Sequence, residues 1–477
     1  MAEIVRRRIP FGGRRSITAP ATCAQRQMWN LIRQELPDAA FYDFCLPVAL
    51  PARCTVRDVL AATGELLRRH ESLRTAFHTA ADGTLVQRVV RSGTFEAEIC
   101  TAGPAEDPQS VLAAWRARMR ERPFDLDAGP PLRVMVAVAD GTPVLAAYCV
   151  SHLAADLMSM RRLTADLTRL VTARVTGRPA PPADPARQPA EQARYERSPR
   201  GEALLARAHA YWQRQLATVP ATMFPAATTA PTTAPTTAPT TAPTTAPTAA
   251  PVRYSAAMDS RAASLALPVL AERWRVSTSA VLLTAVALLL GRRAGLPACA
   301  FRLLAANRSV PELRAAVANL HQEVVATIDL RGESAREIAR GAFAACTTAY
   351  ANGLFDPDRA AELLRAAERD RGTGISLSCC FNDIRQTHGV RAAGALAPAP
   401  VVRAAMADTV VEPHGFEEAE TFFLVVDDEV PGWLRLVLNA DTAVLTPAEV
   451  HAFLYDVERL LVEFVECDEG RTAGHPV

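Results

Sequence analysis

The chain contains no lysine: all 52 basic side chains among its 477 residues are arginine. That absence excludes Schiff-base chemistry and any lysine nucleophile or base. Excess charge is lacking too. The arginines meet 51 acidic residues for a net charge of +1, so no nucleic-acid partner is expected. No apolar run is long enough for a membrane span, and the longest, Ala280 to Leu290, fits a buried helix; no membrane partner is expected. Met1 to Arg15 is basic but lacks the apolar stretch of a signal peptide, which makes a cytoplasmic location the expectation. The 10 cysteines show no Cys-x-x-Cys and no framework spacing, and reduced, mostly buried thiols are expected. There is no His-Glu-x-x-His, no phosphate loop and no dinucleotide fingerprint, so neither a metal nor a bound cofactor is expected. Gly374 to Ser378 approaches a nucleophile elbow but ends in Ser and reads as strand, which argues against a serine hydrolase.

What is present implies two α/β halves. Apolar residues make up 49% of a chain too long for one ordinary core. From Pro225 to Pro251 the sequence repeats Ala-Pro-Thr-Thr, which cannot bury a core and reads as an extended tether. The expected division is residues 1–216, a low-complexity linker over 217–252, and residues 253–477. In the first half the apolar spacing predicts a helix from Thr22 to Glu35. A second helix is capped by Thr55, and Leu132 to Val138 with Val144 to Val150 form a hairpin across the turn Asp140-Gly141-Thr142-Pro143. In the second half Ser264 to Trp274 and Ser279 to Arg292 read as helices. Ala298 to Ala305, Gln322 to Leu330, Ile375 to Phe381, Thr421 to Val426 and Trp433 to Leu438 read as strands, and Thr446 caps a closing helix through Val465.

The densest candidate for chemistry is Ser151-His152-Leu153-Ala154-Ala155-Asp156-Leu157, directly after the second hairpin strand. A strand end would fix the imidazole of His152. Asp156 would then open the helix carrying Leu157, Met160, Leu163 and Leu167, where the helix N-terminus favours negative charge.

Several further segments carry a resemblance. Thr22-Cys23-Ala24-Gln25-Arg26-Gln27-Met28-Trp29 and Arg69-His70-Glu71-Ser72-Leu73-Arg74-Thr75-Ala76-Phe77 resemble the first two motifs of the condensation domains of nonribosomal peptide synthetases. The His152 segment falls where that family carries His-His-x-x-x-Asp-Gly. Tyr211 to Leu216, Asn307-Arg308 and Val317-Ala318-Asn319 are similar to later segments. No carrier motif and no adenylation-type loop is visible, so the resemblance is to a free-standing condensation domain. It implies a V-shaped pseudo-dimer of two chloramphenicol acetyltransferase-like lobes. It also implies an acyltransferase that joins a donor thioester to an amine or hydroxyl, giving an amide or ester in natural-product biosynthesis. Donors would arrive on the phosphopantetheine of peptidyl or acyl carrier proteins, the acceptor could be a small molecule, and the protein would be a monomer.

By the same resemblance His152 serves catalysis, Asn319 lines the site, and Asp156 is structural and pairs with Arg308, holding the lobes in register. An imidazole can act as general base or can position the nucleophile and stabilise the intermediate. Two departures stand out: Ser151 replaces the first His of the signature and Leu157 replaces its Gly, where a side chain would narrow a substrate route. Alternatives on the same scaffold are an epimerase, with Glu323 the nearest carboxylate candidate, a coenzyme A-dependent acyltransferase, or a catalytically silent module that docks a carrier. Arg69, His70 and Arg74 read as packing residues.

Overall fold

A computed structural model describes residues 3–34, 43–103, 107–225, 252–386, 396–415 and 418–467. Beyond Pro225, the tether expected up to Pro251 lies outside the described residues. Packing divides the chain into two units. The first comprises Met1–Ala206, Ala306–Gln322 and Leu354–Asp358, and the second Arg207–Ala305, Glu323–Gly353 and Arg359–Val477. The units are therefore not two consecutive halves. Nor does packing stop at residue 216, since Val219 and Met223 are buried.

The first unit is built from β1 (Glu3–Gly12), β2 (Ile17–Pro20), α1 (Cys23–Gln34), β3 (Phe44–Ala49), α2 (Val56–Arg69), β4 (Thr75–Thr79), β5 (Leu85–Val89), β6 (Ser92–Thr101), α3 (Pro108–Arg120), β7 (Leu132–Ala139), β8 (Thr142–Val150), α4 (Leu157–Val175), α5 (Pro189–Glu196) and the start of α6 (Pro199–Thr218). Its main sheet has the order β1-β6-β7-β8-β3, and a small sheet has the order β2-β5-β4. Within the main sheet β6 and β7 run parallel and the other neighbours antiparallel. Thr55 caps α2 as expected: its hydroxyl accepts from Asp58 N at 3.2 Å while Asp58 Oδ2 accepts from Thr55 N at 3.1 Å. The β7–β8 hairpin turns at Asp140 and Gly141, whose φ of 48° and 75° match the left-handed pair of a tight turn.

Both faces of the main sheet are covered. Val134 and Val136 of β7 join Tyr148 in a core with Val59, Leu66 and Leu67 of α2 and with Met160, Leu163 and Leu167 of α4. The alternate residues Met135 and Ala137 join Ala147 and Cys149 against Val111, Leu112, Trp115 and Met119 of α3. A strand buried on both sides needs apolar residues at every position. That is why Val134 to Ala139 of β7 and Val144 to Val150 of β8 read as apolar runs.

The second unit continues from α6 with β9 (Arg253–Ser260), α7 (Arg261–Trp274), α8 (Thr278–Ala294) and β10 (Ala298–Ala305). The short α9 (Pro311–Arg314) belongs to the first unit. The second unit then resumes with β11 (Gln322–Asp329), α10 (Ala335–Ala351), α11 (Pro357–Arg371), β12 (Cys379–Asp383), α12 (Ala399–Ala404), β13 (Val410–Pro413), β14 (Phe422–Asp427), β15 (Leu434–Asp441) and α13 (Pro447–Glu466). Its sheet order is β11-β10-β12-β14-β15-β9-β13. The Ala280 to Leu290 run lies in the buried α8, and no single helix among the described residues is long and apolar enough to cross a membrane.

Of the boundaries that differ from expectation, two have a local cause. Ser260 caps α7, so the helix starts at Arg261 instead of Ser264. β12 covers Cys379–Asp383 instead of 375–381, because earlier backbone donors go elsewhere: Ile375 N to Glu368 Oε1 at 3.0 Å and Ser376 N to Ala221 O at 2.8 Å. Leu67, with 0% exposure, anchors α2 over the sheet. Leu67→Ala is expected to destabilise the first unit by about 2–5 kcal/mol, read from denaturant unfolding.

Candidate active site

β8 lies between β7 and β3, so ladders on both sides fix the point where it ends. Beyond it the chain turns sharply: Ser151 O accepts from Ala154 N at 2.9 Å and Ala155 N at 3.2 Å, and Ser151 N donates to Pro131 O at 3.1 Å. Ser151 is buried and its hydroxyl faces the carboxyl of Asp43, the residue before β3. Burial pushes that carboxyl up to about 7, against the pull of Arg133 and Ser151.

Asp156 is the N-cap of α4, and its Oδ1 accepts from Ser159 N and Ser159 Oγ, each at 2.8 Å. Arg308 Nη2 lies 2.7 Å from Oδ1 and 2.9 Å from Oδ2 of the same carboxylate. Leu320 N donates to Oδ2 at 3.1 Å. The other guanidinium arm, Nη1, donates to the carbonyls of Leu313 at 2.9 Å and Ala316 at 2.6 Å. Arg308 follows Asn307, whose φ of 53° is left-handed, a conformation asparagine tolerates better than most residues. The Asn307 side-chain amide donates to Leu320 O at 2.9 Å and closes the 307–320 excursion.

The Asp156–Arg308 pair forms as the resemblance implied, but not as a tie between two lobes. Residues 306–322 pack with the first unit, with Val317 in its main core, so the pair is internal to that unit. Its side chains are only 5% and 8% exposed. In such a setting the partners depend on each other, because removing one leaves a buried charge unmatched.

His152 sits on the turn between β8 and this locked cap. Its ring stands 4.5 Å from Phe44 and 4.7 Å from the ring of His321, centroid to centroid. Burial, with the nearby His321 second, pushes its pKa down to about 3, while the His152 and Ala155 carbonyls and Asp156 oppose the fall. His152 is therefore neutral at physiological pH. Its Nδ1 is buried with no hydrogen-bond partner. Burial and Arg308 also lower His321, opposed by Asp156.

Asn319 is fully buried, and its amide is engaged within the protein: Oδ1 meets His321 Nδ1 at 3.0 Å and Nδ2 reaches Ala24 O at 3.5 Å. Leu157 is the first residue of α4 and is half-buried. His152, Asp156, Arg308, Asn319, Ser151 and Leu157 thus gather in one unit. Sequence reasoning missed His321 and Asp43. For His321 a signal existed, since it lies two residues from Asn319 and alternate positions of an extended chain share a face.

The remaining motif residues support the fold. Thr22 and Gln25 cap α1 reciprocally. His70 Nε2 lies 3.3 Å from Asp166, and Arg74 donates to the carbonyls of Leu67 and Val90. Glu323 is paired with Arg302 at 2.9 Å. No group of three or more His, Cys, Asp or Glu among the described residues could hold a metal.

A family model described as Condensation domain matches residues 16–319. Chondramide synthase of Chondromyces crocatus is 27% identical over 209 residues, 43% of this chain and 5% of that protein. The chain spans only a small part of the curated relatives it matches. Among solved structures, the X-domain from teicoplanin biosynthesis superposes with a TM-score of 0.69 at 20% identity, covering 97% of this chain and 98% of that one. A structure described as the basis for condensation domain-mediated chain release from the enacyloxin polyketide synthase gives 0.67 at 19%, covering 96% and 84%. At these identities the likeness shows the fold, the expected two-lobed α/β class.

Arg308→Met and Asp156→Asn are each expected to cost about 3–5 kcal/mol in denaturant unfolding, and the double variant less than the sum. Additive losses would mean that the two groups are not paired in solution.

Proposed function

Because the chain belongs to the condensation-domain family, we propose that it joins a carrier-bound acyl or aminoacyl thioester to an amine or hydroxyl acceptor. The observation that carries this reading is His152, a neutral imidazole at a fixed strand end, beside a helix cap locked by Asp156 and Arg308. The acceptor's lone pair attacks the thioester carbonyl, a C–N or C–O bond forms, the C–S bond breaks, and the acceptor's proton ends on the departing thiolate.

The low pKa of His152 favours one of its two candidate roles. A general base works best with a pKa near the operating pH. At about 3, His152 holds a removed proton weakly, yet stays a neutral hydrogen-bonding group throughout the working range. That suits orienting the nucleophile and stabilising charge in the tetrahedral intermediate. Asn319, its amide already engaged, acts through His321 as a positioning residue. Carrier proteins would present the donor on phosphopantetheine, as substrate and not as a resident cofactor.

The second reading, a silent carrier-docking module, is favoured by the half-buried Leu157 where the family signature has Gly. An acyl-pantetheine thioester offered with a panel of amines and alcohols separates the two. Transfer by the wild type, lost about 10²–10⁴-fold in His152→Ala, is expected for the enzyme. Product from Leu157→Gly alone would mean a competent site closed by one side chain. Carrier binding without product from either protein would favour the docking module.

The pH dependence is a separate check. No step in kcat/KM between pH 5 and 8 should belong to His152, because its protonation lies far below. A step near 6.5 that disappears in His152→Ala would contradict the positioning role.

A further inference from the structure

His321 enters this chemistry so far only as the link between Asn319 and the site. Its ring is tilted 34° to that of His152 at a centroid distance of 4.7 Å. Its Nδ1 meets Asn319 Oδ1 at 3.0 Å. Asn319 is fully buried, and with its Nδ2 directed at the Ala24 carbonyl, 3.5 Å away, its oxygen is left for the imidazole. A carboxamide oxygen can only accept, so His321 carries its proton on Nδ1 and has its lone pair on Nε2. A ring that merely filled space would need no buried amide to set its tautomer.

We propose that His321 and His152 form a coupled imidazole pair holding at most one proton, with His321, its tautomer set by Asn319, as the positioning residue beside the imidazole that meets the acceptor. The proposal rests on the reading of His152 as the group that meets the acceptor. Two imidazolium rings this close would repel each other in surroundings that screen charge poorly. The neighbouring charges divide unevenly. Asp156, at the head of α4, favours protonation of both rings, while Arg308 opposes it at His321. The Asp43 carboxyl lies one residue away, beside Ser151. A charge on His321 opposes protonation of His152, and the two steps belong to the pair rather than to isolated rings.

The test is an NMR titration of the imidazole rings in the full chain, comparing wild type with His321→Leu, His321→Gln and His152→Phe. Leu removes both the charge and the bond to Asn319. Gln removes the charge but can still donate to the Asn319 oxygen, so it covers the case in which Leu disturbs folding. In both His321 variants the midpoint of His152 is expected to rise by about one pH unit, and His152→Phe identifies the signal of His321. A His152 midpoint unchanged in both His321 variants overturns the pair.

The thioester assay on the same proteins keeps the two claims apart. Coupled titrations without any transfer uphold the pair and sink the proposed reaction. Transfer that depends on His152, with uncoupled titrations, sinks the pair.

Discussion

The buried ion pair between Asp156 and Arg308 is the constraint on which the site depends. One carboxylate caps α4, accepts from Leu320 N and receives the guanidinium, while that guanidinium also gathers the carbonyls of Leu313 and Ala316. A helix start, the end of a central strand and a segment from far along the chain are thereby fixed to one another. Taking two charges out of water is costly, and it is compensated here by a nearly complete set of hydrogen bonds around them. Such a pair adds little net stability compared with an apolar substitute. What it supplies is a single geometry.

That geometry explains the state of His152. The turn holding it is pinned by the β8 ladder on one side and by the Asp156 cap on the other, which fixes where its backbone places the ring. Phe44 and His321 flank it, and burial keeps it neutral. A group prepared in this way is suited to hold and orient a reacting partner more than to extract its proton. The Asp43 carboxyl, raised by burial beside Ser151, adds to the same weakly solvated corner of the fold.

Much of this was legible in the sequence where local pattern reports directly on burial. Most of β7 and β8 appeared as apolar runs because helices cover both sheet faces, and Thr55 and Thr446 announced their helices as N-caps, which the structure completes as capping boxes. β1 was invisible for the opposite reason: of its residues Phe11 alone is buried, so an edge strand rich in arginine carries no alternation. The return of residues 306–322 into the first unit has no local signature. It depends on the left-handed Asn307 and on contacts made across more than a hundred residues of sequence. The Asp156–Arg308 pairing was therefore reached through family resemblance; His321, whose one signal was its spacing of two from Asn319, and Asp43, which had none, were not reached.

The central claim is that the buried pair acts on chemistry only by placing His152. The most direct measurement is the single-turnover rate of acyl transfer from a pantetheine thioester in wild type, Arg308→Gln, His152→Ala and the double variant. Residues that act as one unit are strongly non-additive. The account predicts that Arg308→Gln loses nearly as much rate as His152→Ala and that the double variant is no worse than either. Multiplying losses, or a full rate in Arg308→Gln, would contradict it.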